Sequence, residues 1–133
     1  MILGVGIDAV SIERVKKLND RTLSKMFHPI ELEEYAKLQN AHEDIRAQFL
    51  ASRFAVKEAY AKARGTGFSS VVVPTEIRTA KNDEGCPYVV LDGVTLDNAP
   101  MAAVHLSITH EKPLAIAMVI LESDPSEAEG SDG

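Results

Sequence analysis

Residues 42–67, HEDIRAQFLASRFAVKEAYAKARGTG, decide the fold. Ala47, Ala51, Ala55, Ala59 and Ala63 recur at every fourth position, which lines them up along one side of a helix. A row of side chains that small lets a helix lie close against a sheet or a second helix. Ile45, Phe49, Leu50, Phe54 and Val56 widen the apolar face. The pattern predicts one long helix ending at Arg64, with Gly65 as its natural stop. Near its end a single carboxylate, Glu58, stands among Arg53, Lys57, Lys62 and Arg64, just before the turn Gly65-Thr66-Gly67.

Upstream of that helix, MILGVGIDAV (1–10) is apolar at almost every position and predicts a buried strand. Gly4 and Gly6 permit a close approach of backbone or ligand, and Asp8 is the first charge, falling where the strand ends. SIERVKKLND (11–20) predicts a short helix capped by Ser11, with Ile12, Val15 and Leu18 at helical spacing. Residues 21–27 predict a further helical turn, which His28-Pro29 breaks. The chain restarts as a helix at PIELEEYAKLQ (29–39), where Pro29 and the acids Glu31, Glu33 and Glu34 suit a first turn.

Downstream of Gly67 the texture becomes β. VVVPTEIRTA (71–80) holds one or two short strands around Pro74. KNDEGCP is turn chemistry and YVVLDG returns as a strand, so the pair predicts a hairpin. VTLDNAPMAA (94–103) predicts a short helical connection. VHLSITH (104–110) alternates, with Val104, Leu106 and Ile108 on one face and His105, Ser107 and Thr109 on the other. EKP turns the chain into a last strand, LAIAMVILE. The order, a strand, then helices, then several strands, predicts an α+β fold with a largely antiparallel sheet packed on the Ala-rich helix.

With 133 residues, 45% of them hydrophobic, the chain is long enough for one domain with a real core. No apolar run is long enough to span a membrane, and the first residues lack the basic leader of a signal peptide. The single cysteine, Cys86, has no intrachain partner, which predicts a reducing, cytoplasmic setting. The net charge of −6 is uneven. The stretch from Ser123 holds four acids and no base; without it 16 acids face 14 bases, a net of −2. The reading is therefore a domain over 1–122 and an acidic, disordered tail over 123–133. That body is not basic enough for nucleic acid.

Three places carry polar residues that the fold does not require: Asp8, the pair Glu58 and Lys62, and the face His105-Ser107-Thr109. Each has an ordinary reading. Glu58 and Lys62 at i, i+4 make a common surface pair, Asp8 can cap the next helix, and Gly65-Thr66-Gly67 is a helix stop plus a turn. In combination they suit phosphate chemistry. Two carboxylates can hold Mg²⁺, which takes oxygen ligands and completes its shell with water and substrate phosphate. A lysine one turn away reaches the reacting phosphate. A Gly-Thr-Gly turn offers backbone N–H groups, and Arg53, Arg64 and His110 can neutralise further phosphates.

GVGIDAVSIERV (4–15), FLASRFAVKEAYAKARGTG (49–67) and AVHLSITHEKPLAIAMVILE (103–122) resemble, in order and spacing, three motifs of the bacterial holo-acyl-carrier-protein synthases, the short single-domain group of 4′-phosphopantetheinyl transferases. The match runs from Met1 to Glu122. The resemblance implies transfer of 4′-phosphopantetheine from coenzyme A to a serine of apo-acyl carrier protein, with adenosine 3′,5′-bisphosphate released. It implies Mg²⁺ held by Asp8 and Glu58, with Lys62 at the phosphate as the residue for proton transfer. It places Arg53, Arg64, Gly65, Thr66, Gly67, His105, Ser107, Thr109 and His110 in segments that line the coenzyme site. It also implies a homotrimer with its sites between subunits. Acyl carrier proteins are acidic, and Arg14 and Arg21 are the residues assigned to docking, with Lys16, Lys17 and Lys25 equally readable as a solvated face. Two other classes stay open on sequence alone: a catalytically silent coenzyme-binding module and a metal-dependent pyrophosphate hydrolase.

Overall fold

The computed structural model describes residues 1–123. The acidic stretch 124–133 lies outside the described residues, and Ser123, read as the start of that stretch, instead closes the last strand.

The long helix forms where the Ala row predicts it, as α4 (Glu43–Ala63). Its start is fixed by His42, whose Nδ1 accepts from the Asp44 backbone N–H at 3.0 Å, with Glu43 and Asp44 in the first turn facing the positive end of the dipole. Its end is fixed by Gly65, whose φ of 84° lies in the left-handed region. Ala51, Ala55 and Ala59 are wholly buried, and they set the distance to the sheet beneath.

That sheet has three antiparallel strands in the order β1 (Ile2–Ser11), β5 (Leu114–Ser123), β4 (Ala102–Glu111). β1 crosses α4 at the closest range the chain allows. A Cβ placed on Gly4 would stand 1.9 Å from the Ala63 carbonyl oxygen, so only glycine fits there. The inward face of the sheet supplies Ala117, Val119 and Leu121 to a core shared with Ala55, Val56, Ala59, Tyr60 and Ala63, with Val104, Leu106 and Ile108 packed against it.

The reading of β1 as a buried strand holds for one face only. Gly4 and Gly6 meet α4, but Val5 and Ile7 point the other way and remain 55% and 59% exposed. Strand alternation puts their cross-strand partners on the same outer face: Ile120 and His105 beside Val5, Met118 and Ser107 beside Ile7. Among the described residues no element covers that apolar face, so a run of apolar residues that predicts two-sided burial is buried on one side.

The remaining elements brace the ends of α4. α1 (Ile12–Val15) is capped by Ser11, as expected, but lasts one turn. α2 (Asp20–Met26) is capped by Asn19, and α3 (Pro29–Ala36) by His28 with Glu31 reaching back in a capping box. A second core gathers Ile12, Val15, Leu23 and Phe27 on Ala47, Leu50 and Ala51 of α4. The expected hairpin is β2 (Ile77–Lys81) paired with β3 (Pro87–Leu91), joined by a turn in which the Asn82 side chain accepts from the N–H groups of Glu84 and Cys86, both at 2.9 Å. A 3-10 turn (Pro74–Glu76) leads into it, and α5 (Gly93–Asp97) is the short connection to β4. Among the described residues no helix is long and apolar enough to cross a membrane.

Candidate active site

Asp8 and Glu58, fifty residues apart in sequence, line one cavity of about 570 Å³ with Lys62 and Arg14. β1 delivers Asp8 on the same face as Gly4 and Gly6, toward α4, and α4 delivers Glu58 and Lys62 one turn apart. Lys62 Nζ donates to Asp8 Oδ1 at 2.9 Å and to the Ile7 carbonyl at 3.0 Å. Phe54 and Met26 supply apolar walls. Ser11 also lines the cavity, though its hydroxyl is taken by the Arg14 backbone N–H at 3.2 Å.

The electrostatics are those of two carboxylates sharing one cation. Burial pushes the Glu58 carboxyl above the ordinary glutamate range, the Asp8 charge pushes it further, and Lys62 pulls it partly back. A divalent cation between the two carboxylates would relieve that repulsion. Among the described residues no group of three or more His, Cys, Asp or Glu could hold a metal. Two hard carboxylate oxygens, with the rest of a shell left to water and substrate, would suit Mg²⁺ better than a zinc site of three or four side chains.

Other residues singled out in the sequence lie elsewhere in the chain. Arg64 donates from Nη1 to Tyr60 Oη and from Nη2 to the Asn98 carbonyl, each at 2.9 Å, tying the end of α4 to the segment before β4. The Gly65-Thr66-Gly67 turn is exposed at its tip, but two of its three amides are spent on the helix. Gly65 N–H donates to the Lys62 carbonyl at 2.9 Å and Gly67 N–H to the Ala61 carbonyl at 3.2 Å. The turn thus serves as a helix stop, its glycines needed for φ values of 84° and 68°, and it has fewer amides to offer a phosphate than its composition suggests. Arg53 projects into a separate cavity, against α3 and β2. His110 meets the Gln48 side chain at 2.8 Å.

His105 Nε2 contacts Glu122 Oε1 at 3.1 Å, and His105, Ser107 and Thr109 all stand on the outer face of the sheet. Asp8 stands on the inner one, opposite Ala117. Within one chain the sheet itself separates the two groups. Of the basic residues near α1 and α2, Arg14 and Arg21 are exposed and carry no ion pair among the described residues. Lys16 is turned away from solvent onto Asp44, with Glu13 at 2.7 Å, and those partners hold its ammonium well above the usual lysine range.

A family model, the 4′-phosphopantetheinyl transferase superfamily, matches residues 4–119. This chain belongs to that superfamily. Among curated relatives of the transferase, a holo-[acyl-carrier-protein] synthase of Treponema pallidum is 41% identical over 132 residues, covering 94% of this chain and 99% of its own. Among solved structures, a holo-(acyl-carrier-protein) synthase from Bacillus anthracis in complex with CoA (3′,5′-ADP) matches with a TM-score of 0.80 at 35% identity, over 93% of this chain and 99% of that one. The holo-[acyl-carrier-protein] synthase of Neisseria meningitidis matches with a TM-score of 0.81 at 31% identity, over 92% and 100%. The α+β architecture and the enzyme class read from the three motifs, a phosphopantetheinyl transferase, are therefore those of the chain.

Proposed function

We propose that this transferase moves 4′-phosphopantetheine from coenzyme A to a serine hydroxyl of an apo-acyl carrier protein, with Mg²⁺, releasing adenosine 3′,5′-bisphosphate. The observation that carries the reading is the meeting of Asp8, Glu58 and Lys62 around one cavity. Its relatives' names agree in substrate class.

The reaction displaces one phosphate oxygen by another, so it asks for positioning and charge neutralisation more than for covalent help. Asp8 and Glu58 would hold the metal. Mg²⁺, when bound, neutralises the diphosphate and fixes its geometry. Lys62 sits one helical turn from Glu58 and places a positive charge where charge builds as the new ester forms. It is also the amine that lines this cavity, so we route the serine proton through it. Arg14, exposed at the rim, faces an acidic carrier, with Arg21 of the next helix. Carrier and coenzyme would both be met in the cytoplasm.

In this reading the working unit is a homotrimer with sites between subunits. Two observations support it. The outer sheet face is apolar and uncovered at Leu3, Val5, Ile7 and Met118. The same face carries His105, Ser107 and Thr109, which can join Asp8 around one coenzyme only if they come from a neighbouring copy.

The test incubates the protein with coenzyme A, Mg²⁺ and an apo-carrier, and reads the carrier's intact mass. A gain of one phosphopantetheine arm, lost when Mg²⁺ is chelated, is the expected result. An unmodified carrier that a second transferase can load would overturn the proposal.

A further inference from the structure

Glu58 and Lys62 stand at i, i+4 on α4, the spacing at which a helix ordinarily joins two such side chains in an ion pair. The structure makes a different pair. Lys62 Nζ crosses to β1, where it donates to Asp8 Oδ1 at 2.9 Å and to the Ile7 carbonyl at 3.0 Å. Glu58 forms no ion pair among the described residues. An ammonium has three donors. Two of them are spent on Asp8 and the strand backbone, so this arrangement leaves at most one for a phosphate oxygen. Lys62 therefore holds the same carboxylate that the transfer reaction asks to bind a metal, and it is turned toward that carboxylate instead of a substrate.

We propose that Lys62 is the internal counter-ion of this site and is exchanged for a divalent cation: the metal takes Asp8 Oδ1, and the released ammonium turns to the diphosphate. The inference rests on the proposed transfer reaction, in which Asp8 and Glu58 hold the metal. Exposure favours the exchange. The Lys62 side chain is 51% exposed and that of Asp8 17%, so the ammonium can swing out on its flexible stem while the carboxylate stays in place. An ion pair so open to water holds weakly. Lys62 brings one charge to one carboxylate, whereas a divalent cation brings two charges to both, through the hard oxygens it prefers. One side chain thus does two things in turn. It first offsets the charge of Asp8 beside Glu58, and it then carries its own charge to the reacting phosphate. Arg14 lines the same cavity but pairs with neither carboxylate, so it contributes to the field of the site and not to the exchange.

Mg²⁺ binding to the whole chain, without coenzyme or carrier and at fixed pH and ionic strength, tests the exchange. Affinity is read by NMR from the backbone amides of Asp8 and Glu58. Lys62→Met removes the competing charge and keeps most of the stem, and its fold is verified by the same spectrum. It should bind Mg²⁺ about tenfold or more tightly than wild type, as expected when a charge-assisted hydrogen bond no longer has to be broken. Arg14→Gln removes a charge from the same cavity without touching Asp8, and solvent screening should keep its affinity within about twofold of wild type. In the wild type the side-chain ammonium signal of Lys62 should move as Mg²⁺ saturates the site. Equal gains in the two variants would reduce the effect to the general field. Unchanged or weaker binding in Lys62→Met, or an ammonium signal that stays fixed, would show that Lys62 does not give way. Each of these results overturns the exchange and leaves the metal at Asp8 and Glu58. Amides of Asp8 and Glu58 that Mg²⁺ moves in none of the three proteins would take the metal from these carboxylates, and with it both the exchange and the Mg²⁺ reading of the transfer.

Discussion

Gly6 lies directly under Ala59: a Cβ on Gly6 would stand 1.9 Å from the Ala59 carbonyl oxygen and 2.7 Å from the Ala63 amide nitrogen. Both obstacles are helix backbone, which cannot swing aside as a flexible side chain does. Gly6→Ala must push β1 and α4 apart, and overpacking of this kind costs about 1–3 kcal/mol. Asp8 follows two residues later on the same face, so the shift also pulls it from Glu58. Turnover should therefore fall well beyond the fall in stability. A denaturation midpoint and a rate both at the wild-type value would mean that the glycine is not what brings strand and helix together.

How much of this was legible beforehand follows from the range of each interaction. The Ala row, the cap at Ser11 and the alternation of VHLSITH are local patterns; α4 and β4 form where those patterns predict, and α1 starts at its cap but stops after one turn. The joining of Asp8 to Lys62 across 54 residues is not local; the chemistry of the polar residues suggests it and the motif resemblance names it, but no periodicity shows it. The Lys57–Glu31 pair was missed. Lys57 reads as one more charge beside Glu58, and Glu31 as a first-turn acid, yet both are wholly buried and 2.5 Å apart. Single-sequence periodicity could have raised the question, since Lys57 falls between buried Val56 and Ala59. The Gly-Thr-Gly turn reads as a source of amides for phosphate because composition shows a donor but not its acceptor, and two of its three amides donate to helix carbonyls.

That buried pair makes a sharp stability prediction. Lys57 Nζ donates to Glu31 Oε1, to the Pro74 carbonyl at 3.0 Å and to the Ile77 carbonyl, so it pins α3, the 3-10 turn and the start of β2 to α4. Lys57→Met leaves Glu31 charged, buried and unmatched, a loss of about 3–5 kcal/mol. Adding Glu31→Gln removes the orphaned charge and keeps an oxygen for the His28 N–H, which Glu31 accepts at 3.1 Å. The double variant should be more stable than Lys57→Met alone in urea denaturation. A double variant less stable than the single would show that the two side chains do not act as a pair.

Glu58 gives a pH dependence of unusual sign. Its folded pKa is raised, chiefly by burial and then by Asp8, so the folded chain binds a proton that the unfolded chain has released. Over the window from the ordinary glutamate range up to that raised value, this group loses stability as pH rises and regains it as pH falls. Solvent access keeps the effect small. Glu58→Gln should flatten this dependence in the metal-free protein, with a melting temperature equal to or above wild type. The same substitution should lower Mg²⁺-dependent turnover by about 100-fold or more, since even outer-shell changes at metal sites reach that size. A stable variant with the wild-type rate would free Glu58 from the metal.

The outer sheet face tests assembly apart from chemistry. Ile7 is 59% exposed there, beside Met118, while Asp8 next to it points inward. Ile7→Lys puts a charge on the uncovered face without touching α4. Light scattering should show the wild type as a trimer and the variant as a smaller species with an unchanged helical signal. Turnover should fall with the trimer, because the proposed site joins His105 of one copy to Asp8 of another. A monomeric variant with full activity would place the whole site in one chain.

Arg14 separates the two substrates. Its backbone N–H is fixed by the Ser11 cap, which leaves the guanidinium exposed at the rim of the Asp8 cavity and without an ion pair among the described residues. A rim charge facing an acidic partner acts on encounter and orientation, and does so less as salt rises. Arg14→Ala should thus raise KM for the apo-carrier by about tenfold while KM for coenzyme A stays within about twofold, a difference near 1.4 kcal/mol in carrier binding alone. The carrier effect should shrink as ionic strength increases. Arg21, on the neighbouring helix and further from the cavity, should show the same pattern with a smaller amplitude. Equal rises in both KM values would move Arg14 from the docking surface into the coenzyme site.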